Sequence, residues 1–271
     1  MKKSIIFILA FALHLCTFAS APDGDVIYIN VERWEWLDKP LNKTALYADL
    51  MKVLPAERDS TSANWDGYTA YWSIKGKVLQ LDRIEVRPYH SFTMTQTNDK
   101  LKAIKSSQVI DPSKMALTIR AGRGAVVFYT NEGFNRHYAE EMILTIKKGK
   151  VVASQLVHNS KVDGASPDDF QRQMVKSFNF SNFPELDTCR IVWEIKDVKF
   201  SKDGKIADCN IDFLRNSITD ENRSKALIEE IKETIKAMEP QPTMYILNGK
   251  RKSCLEDYYF PLSKALFKNF K

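Results

Sequence analysis

The sequence predicts an α+β protein, in which a β-rich N-terminal domain precedes a small C-terminal domain with an antiparallel sheet packed on one helix (ββαβ order). Runs of alternating apolar and polar residues joined by glycine turns recur along the chain and predict strands. One long stretch, Leu227 to Met238, instead repeats apolar residues at helical spacing. The chain has 271 residues, 44% of them hydrophobic and 11% aromatic, which is enough to bury a core.

The first 21 residues predict a signal peptide. Lys2 and Lys3 precede an apolar run from Ile5 to about Phe18, and small residues suited to cleavage follow. An uncleaved membrane anchor, the alternative, needs about 20 apolar residues, and this run is shorter and contains His14. We therefore expect an exported protein without a stable transmembrane anchor, periplasmic or associated with the outer membrane.

The charge balance of the mature chain argues against nucleic-acid binding. Loss of the leader removes Lys2 and Lys3 and no acidic residue, which leaves 38 basic and 34 acidic side chains. The small basic excess is well mixed and forms no basic stripe interleaved with aromatic residues. Nucleic acid is therefore not an expected partner.

The first strand after the leader carries an aromatic pair. Trp34 and Trp36 are two residues apart, so they lie on the same side of a strand. If they are exposed, they form a platform that stacks on sugar rings, as in a secreted carbohydrate- or cell-wall-binding protein; if they are buried, they belong to the core. A glycan is the alternative partner that this pair predicts.

Two short helices and a domain boundary complete the N-terminal part. Leu46, Leu50 and Leu54 recur at helical spacing ahead of Pro55, and residues 97–107 predict a second short helix. Residues 160–186 begin with a concentration of Asp, Ser, Gly and Pro. We therefore place the β-rich domain at residues 22–180 and the smaller domain at residues 181–271.

The segment "KFSKDGKIADCNI" predicts a hairpin in the smaller domain. With Asp203-Gly204 as a two-residue loop, Lys199 lies opposite Asp208 and Val198 opposite Cys209.

The apolar pattern of the first hairpin strand changes phase. Trp193 and Ile195 are odd-numbered, whereas Val198 and Phe200 are even-numbered. Because side chains alternate with period two, this change predicts a bulge near Lys196-Asp197.

The long helix is expected to cover this sheet. Ser217 or Thr219 caps it, and prolines at 240 and 242 end it. Its apolar stripe consists of Leu227, Ile231, Ile235 and Met238.

Three segments, in this order, resemble the C-terminal domain of TonB, especially its shortened versions in secreted and envelope proteins of bacteria. They are "VKFSKDGKIADCNI", "IKAMEPQP" at the helix end, and "ILNGKRKSCLEDYYFPL" with its asparagine-glycine turn. The resemblance covers about Cys189 to Leu262. The chain departs from the family at Tyr245 and Ile246, where tryptophan and proline are frequent, and it lacks the proline-rich linker of an energy transducer.

The resemblance implies binding by edge-strand addition, in which an extended segment of a partner pairs with an exposed strand. The candidate edge consists of Met244, Tyr245, Ile246 and Leu247. The expected partner is an envelope or outer-membrane protein. The alternative is an edge that the chain itself closes.

The residues predict no catalytic, metal or cofactor site. His137 is followed by Glu140 and Glu141, but no second histidine completes a zinc-binding H-E-x-x-H pattern. The "RAGRG" segment has too few glycines for a dinucleotide fingerprint and is interpreted as a strand-turn element. We therefore expect a non-enzymatic protein.

Three cysteines remain after the leader: Cys189, Cys209 and Cys254. An exported protein can form one disulfide among them, in any of three pairings, or keep three free thiols. The predicted hairpin places Cys209 toward the core.

Overall fold

The computed structural model describes residues 22–86 and 116–269, apart from 46, 57, 59, 131, 132 and 257. The chain divides into two compact units, Met1–Val157 and His158–Lys271. The expected signal peptide and the helix expected at residues 97–107 lie outside the described residues. Within the described ranges the protein is a mixed α+β structure with several antiparallel sheets, and none of the helices there is long and apolar enough to cross a membrane.

The described part of the first unit contains seven strands and one α-helix. They are β1 (Asp25–Ile29), β2 (Glu32–Trp36), α1 (Tyr47–Val53), β3 (Tyr68–Lys75), β4 (Val78–Val86), β5 (Ala116–Tyr129), β6 (Arg136–Lys147) and β7 (Lys150–His158), with a 3-10 turn at Pro40–Lys43.

The seven strands form a closed barrel in the order β1-β2-β5-β6-β7-β4-β3. The barrel is closed by a parallel pair, β1 with β3, whereas β1 and β2 form an antiparallel hairpin. Among the described residues, β2 and β5 share two residue pairs, Glu35 with Gly122 and Trp36 with Ala121. The seam between these two strands is therefore short.

Aromatic and branched side chains fill the core of the first unit. The rings of Trp36 and Trp72 meet edge to face with their centroids 5.2 Å apart. Leu50 and Leu54, from the apolar repeat that predicted the first helix, are buried in the same cluster. This helical segment thus contributes side chains to the barrel core.

The second unit contains six further strands and three α-helices in its described part. They are β8 (Ser160–Val162), α2 (Pro167–Ser177), β9 (Ile191–Phe200), β10 (Ile206–Arg215), α3 (Glu221–Ala237), β11 (Met244–Leu247), β12 (Lys250–Ser253), β13 (Tyr259–Leu262) and α4 (Lys264–Asn269). Two three-stranded sheets result, with the orders β10-β9-β13 and β12-β11-β8.

The division between the units lies earlier than the sequence placed it. Strand β8 pairs with β11, 82 residues further along the chain (Val162 with Met244). Phe170 and Met174 of α2 are fully buried in the core of the second unit. Residues 158–180 therefore belong to the second unit, because both their strand pairing and their apolar side chains are satisfied there.

The β9-β10 hairpin differs from its expected register by one residue. The loop has three residues rather than two: the N–H of Ser201 donates to the Lys205 carbonyl (2.9 Å), and Gly204 adopts φ +86°. Phe200 therefore faces Ile206, and this places Ile206 rather than Ala207 in the core. The register shifts again between Ile206 and Asp208, so the predicted pairing of Lys199 with Asp208 is confirmed.

The predicted bulge in β9 is confirmed. The pairing shifts between Lys199–Asp208 and Lys196–Asn210, and Asp197 has φ +50°. Because of this extra residue, the odd-numbered Trp193 and Ile195 and the even-numbered Phe200 all pack on the same side of the sheet, against the core.

Helix α3 covers the β10-β9-β13 sheet, and its predicted stripe is buried. Leu227, Ile231 and Ile235 have no exposed surface, and Met238 is nearly buried. The N-cap is Asp220, whose carboxylate accepts from the N–H of Arg223 (2.9 Å), rather than Ser217 or Thr219.

Candidate functional site

The strand expected to be an open edge is the centre of a sheet. Met244 pairs with Val162 on one side and with Ser253 on the other, and Tyr245, Ile246 and Leu247 also pair with β12. The prediction of Met244–Leu247 as a partner-binding edge is therefore wrong. Its main-chain groups are used by β8, a strand so distant in sequence that no local pattern reveals the pairing.

Most of the β13 side of the other sheet is blocked to a further strand. Pro261 has no N–H, and its carbonyl accepts from the Gln171 side chain of α2 (2.7 Å). A proline at an outward-facing position is a common protection of an edge strand. Of the residues in β13, Tyr259 is the one that still presents main-chain groups to an additional strand.

The β10 side of this sheet is open. Among the described residues, β9 is the one strand that pairs with β10, which runs for ten residues. Pro261 directs its main-chain groups away from β9. Because the directions of main-chain groups alternate along a strand, the N–H and C=O groups of Glu194 and Lys196 then point toward β10, to their partners Asp212 and Asn210.

It follows that Ile211 and Phe213 direct their N–H and C=O groups away from β9. These four main-chain groups are the hydrogen-bonding positions that a further strand can use. We define the open edge as the four residues Asn210–Phe213, because the register shifts on either side of this straight stretch.

Side chains tie the open edge to the rest of the sheet. Ile211 packs into the core, and Lys196 binds both Glu194 (2.6 Å) and Asp212 (2.9 Å) on the opposite face of the sheet. These two carboxylates raise the pKa of Lys196 above its usual range, so the lysine stays charged. At the start of β10 the Gln241 side chain accepts from the N–H of Ile206 (2.9 Å).

The predicted aromatic platform does not exist as a surface. Trp34 and Trp36 are 2% and 1% exposed. The two rings do share one side of β2, as expected, but the barrel curves so that this side faces its interior. The prediction that they stack on a ligand is wrong because both belong to the core.

His137 and Glu141 form a structural cluster on β6. His137 Nδ1 lies 3.0 Å from Glu141, and the Arg120 guanidinium lies 3.2 Å from the same ring nitrogen. Glu140 points the other way and accepts from Arg123 (2.5 Å). In the described parts of the chain, no group of three or more His, Cys, Asp or Glu is arranged to hold a metal ion.

The three cysteines are free thiols. Cys209 faces the core, as expected, and burial raises its pKa to about 11. Burial also raises the pKa of Cys254 to about 11. Neither thiol is activated as a nucleophile, because a raised pKa lowers the thiolate fraction.

Comparison with protein-family models, with curated proteins and with solved structures finds no match to this chain.

A buried acid in the first unit was not anticipated from the sequence. Asp25 has no exposed surface, and its carboxyl accepts from the N–H of Ala70 (3.0 Å) and from Trp72 Nε1 (3.0 Å). Burial raises its pKa to about 7, although the two hydrogen bonds and the charge of Lys39 oppose that change. The one sequence signal is an acidic residue at the start of an apolar run, which is too common to be diagnostic.

Proposed function

We propose that the protein is an exported, non-enzymatic component of the cell envelope that binds an envelope or outer-membrane protein. Its second unit accepts an extended segment of that partner at the open edge, Asn210–Phe213. The observation that carries the proposal is the contrast between the two sides of one sheet, since Pro261 and Gln171 block most of β13, whereas no further described strand pairs with β10.

The resemblance to the C-terminal domain of TonB supports the same assignment. In the part that resembles that domain, strands β9 and β10 precede helix α3, and the three short strands β11, β12 and β13 follow it. Strand β13, which contains the "YFPL" of the resembling segment, pairs with β9. In this proposal the family's mode of edge-strand addition applies to β10 instead of β11.

The proposal is tested by photo-crosslinking in the native host. A benzophenone amino acid replaces Leu214, next to the open edge, and in a second variant replaces Tyr259 on the closed side; both side chains are more than half exposed. We expect an adduct with an envelope protein from position 214 and none from position 259. Mass spectrometry should locate the crosslink in an extended segment of the partner.

A pair of variants isolates the main-chain contribution. Phe213→Pro and Phe213→Ala both remove the ring, but only the proline removes the outward N–H. We expect the adduct from position 214 to persist in Phe213→Ala and to fall about tenfold in Phe213→Pro, as for the loss of one well-made hydrogen bond. Equal yields in the two variants, or equal adducts from positions 214 and 259, contradict the proposal.

A further inference from the structure

The first unit contains a cavity of about 450 Å³ on the β2-β5 side of the barrel. This volume lies in the range of small-molecule sites, about 300–1,000 Å³. Its wall includes Arg33, Glu35, Tyr71, Arg123 and Tyr138 together with Trp34. With Asp25 and Val26, the lining residues come from five strands, β1, β2, β3, β5 and β6.

Two glycines of the "RAGRG" segment line the cavity. A Cβ atom at Gly122 would lie 2.1 Å from the Tyr138 ring, so the ring can occupy this position only if residue 122 is glycine. Gly124 has φ +85° at a bulge, where the pairing shifts between Arg123 and Val126. The pairing of β2 with β5 ends just before this bulge, at Glu35 and Gly122.

The polar groups of the cavity are held in fixed positions. Glu35 accepts from the N–H of Gly24 (3.1 Å), from Arg136 and from the hydroxyl of Tyr138. Burial and this carboxylate raise the pKa of Tyr138 to about 12, so its hydroxyl keeps its proton. Such fixed groups lose little conformational entropy when a ligand binds.

The opposite wall is held in the same way. The Arg123 guanidinium binds Glu140 and Glu32, both at 2.5 Å, and lies over the Trp34 ring at 4.3 Å from its centroid. Charges of both signs line the cavity, with Asp23 and Glu35 on one hand and Arg33 and Arg123 on the other. The cavity therefore does not present a single sign of charge that would select an ion.

One donor in the wall is available to a ligand. Arg33 is exposed and makes no ion pair with the described residues. Trp34 is 2% exposed, and its Nε1 lies within the core, out of reach of the cavity. A ligand oxygen can therefore accept from the Arg33 guanidinium, as in a hydrogen bond to a charged donor.

From these groups we infer that the cavity binds a short neutral oligosaccharide. The Glu35 carboxylate accepts from sugar hydroxyls, Arg33 donates to them, and the Tyr138 ring provides an apolar face for the sugar ring. The ligand is contacted by the cavity walls, and the buried faces of Trp34 and Trp36 remain core. The inference is independent of partner-strand binding, because all its residues lie in the first unit.

Saturation-transfer NMR with the full-length mature protein tests this inference. The probes are cellobiose and N,N′-diacetylchitobiose, with glucuronic acid and glucosamine as charged comparisons. Thr69→Trp fills the cavity from its rim, and Gln80→Trp, at an exposed position outside the wall, is the matched control. Arg33→Leu removes the unpaired donor and leaves the fixed networks intact.

We expect at least one neutral disaccharide to bind the unaltered protein and Gln80→Trp equally. Binding should disappear in Thr69→Trp and weaken about tenfold in Arg33→Leu, as for the loss of a hydrogen bond from a charged donor. Circular dichroism verifies that each variant folds. The inference is overturned if neither disaccharide binds at millimolar concentration, if Thr69→Trp binds as well as Gln80→Trp, or if a charged sugar binds more tightly.

Discussion

The buried carboxyl of Asp25 should make the first unit less stable as the pH rises. Its pKa is raised from 3.8 to about 7 in the folded protein, mainly by burial. As pH increases, the unfolded chain loses this proton first, so the stabilising contribution of the neutral carboxyl is complete below about pH 4 and is lost progressively up to about pH 7. With about 1.4 kcal/mol for each pH unit between the two pKa values, the loss reaches up to about 4 kcal/mol.

Asp25→Asn removes this titration and provides the comparison. Asparagine offers one acceptor oxygen where the carboxyl offers two, so Ala70 N–H or Trp72 Nε1 loses its partner at a roughly constant cost of about 1–3 kcal/mol. The unaltered protein should therefore be the more stable of the two near pH 4. Its advantage should shrink by up to about 4 kcal/mol and reverse toward pH 8.

Urea unfolding from pH 4 to pH 8, followed by tryptophan fluorescence, measures the difference. Four of the five tryptophans lie in the first unit, at positions 34, 36, 65 and 72, so the signal reports mainly that unit. Other titrating groups act on both proteins and cancel in the comparison. Parallel stability curves for the two proteins across this range would refute the argument that Asp25 is protonated in the fold.

Three further substitutions have clear expected effects on thermal unfolding. Val31 is an exposed turn residue with φ +64°, which strains a branched side chain. The variant Val31→Gly should therefore be more stable by about 1 kcal/mol, and an unchanged or lower melting temperature would contradict this. Gly122→Ala should destabilise by about 1–3 kcal/mol through its clash with Tyr138, and an unchanged melting temperature would contradict this. Ile231→Ala should lower the free energy of unfolding by about 2–5 kcal/mol, because Ile231 is fully buried. Ile228→Ala, at a half-buried position on the same helix, is the control. An equal or smaller loss of stability in Ile231→Ala would show that the stripe is not the core contact.

Local patterns predicted the features that depend on neighbouring residues. The phase change between Ile195 and Val198 predicted the bulge at Asp197, and the apolar repeat of the long helix predicted its buried side. The loop length was missed because the Ser201 hydroxyl, which accepts from the N–H of Lys205 (3.1 Å), favours a three-residue turn that the Asp-Gly pair does not reveal.

Features that depend on distant pairing could not be read in this way. The role of β11 is decided by β8, and the cavity requires β2, β5 and β6 to meet. The side of β2 that faces inward depends on the closure of the barrel, so the sequence predicted that Trp34 and Trp36 share a side without predicting which side. The residues that form such pairings are distant in the sequence, and no pattern among their neighbours indicates which strand each will pair with.

The register shifts in β10 restrict what can bind at the open edge. A long, regular edge strand pairs readily with copies of itself and promotes aggregation. Here the straight stretch is limited to Asn210–Phe213 by irregularities at Asp208 and Arg215, and Gln241 occupies the N–H of Ile206 at the start of the strand. Main-chain pairing is thus confined to the groups of Ile211 and Phe213, which suffices for a short partner segment but not for an extended intermolecular sheet. If the proposed partner segment binds here, its selectivity comes from its own side chains, which would lie beside Leu214 and the Asp212–Lys196 pair.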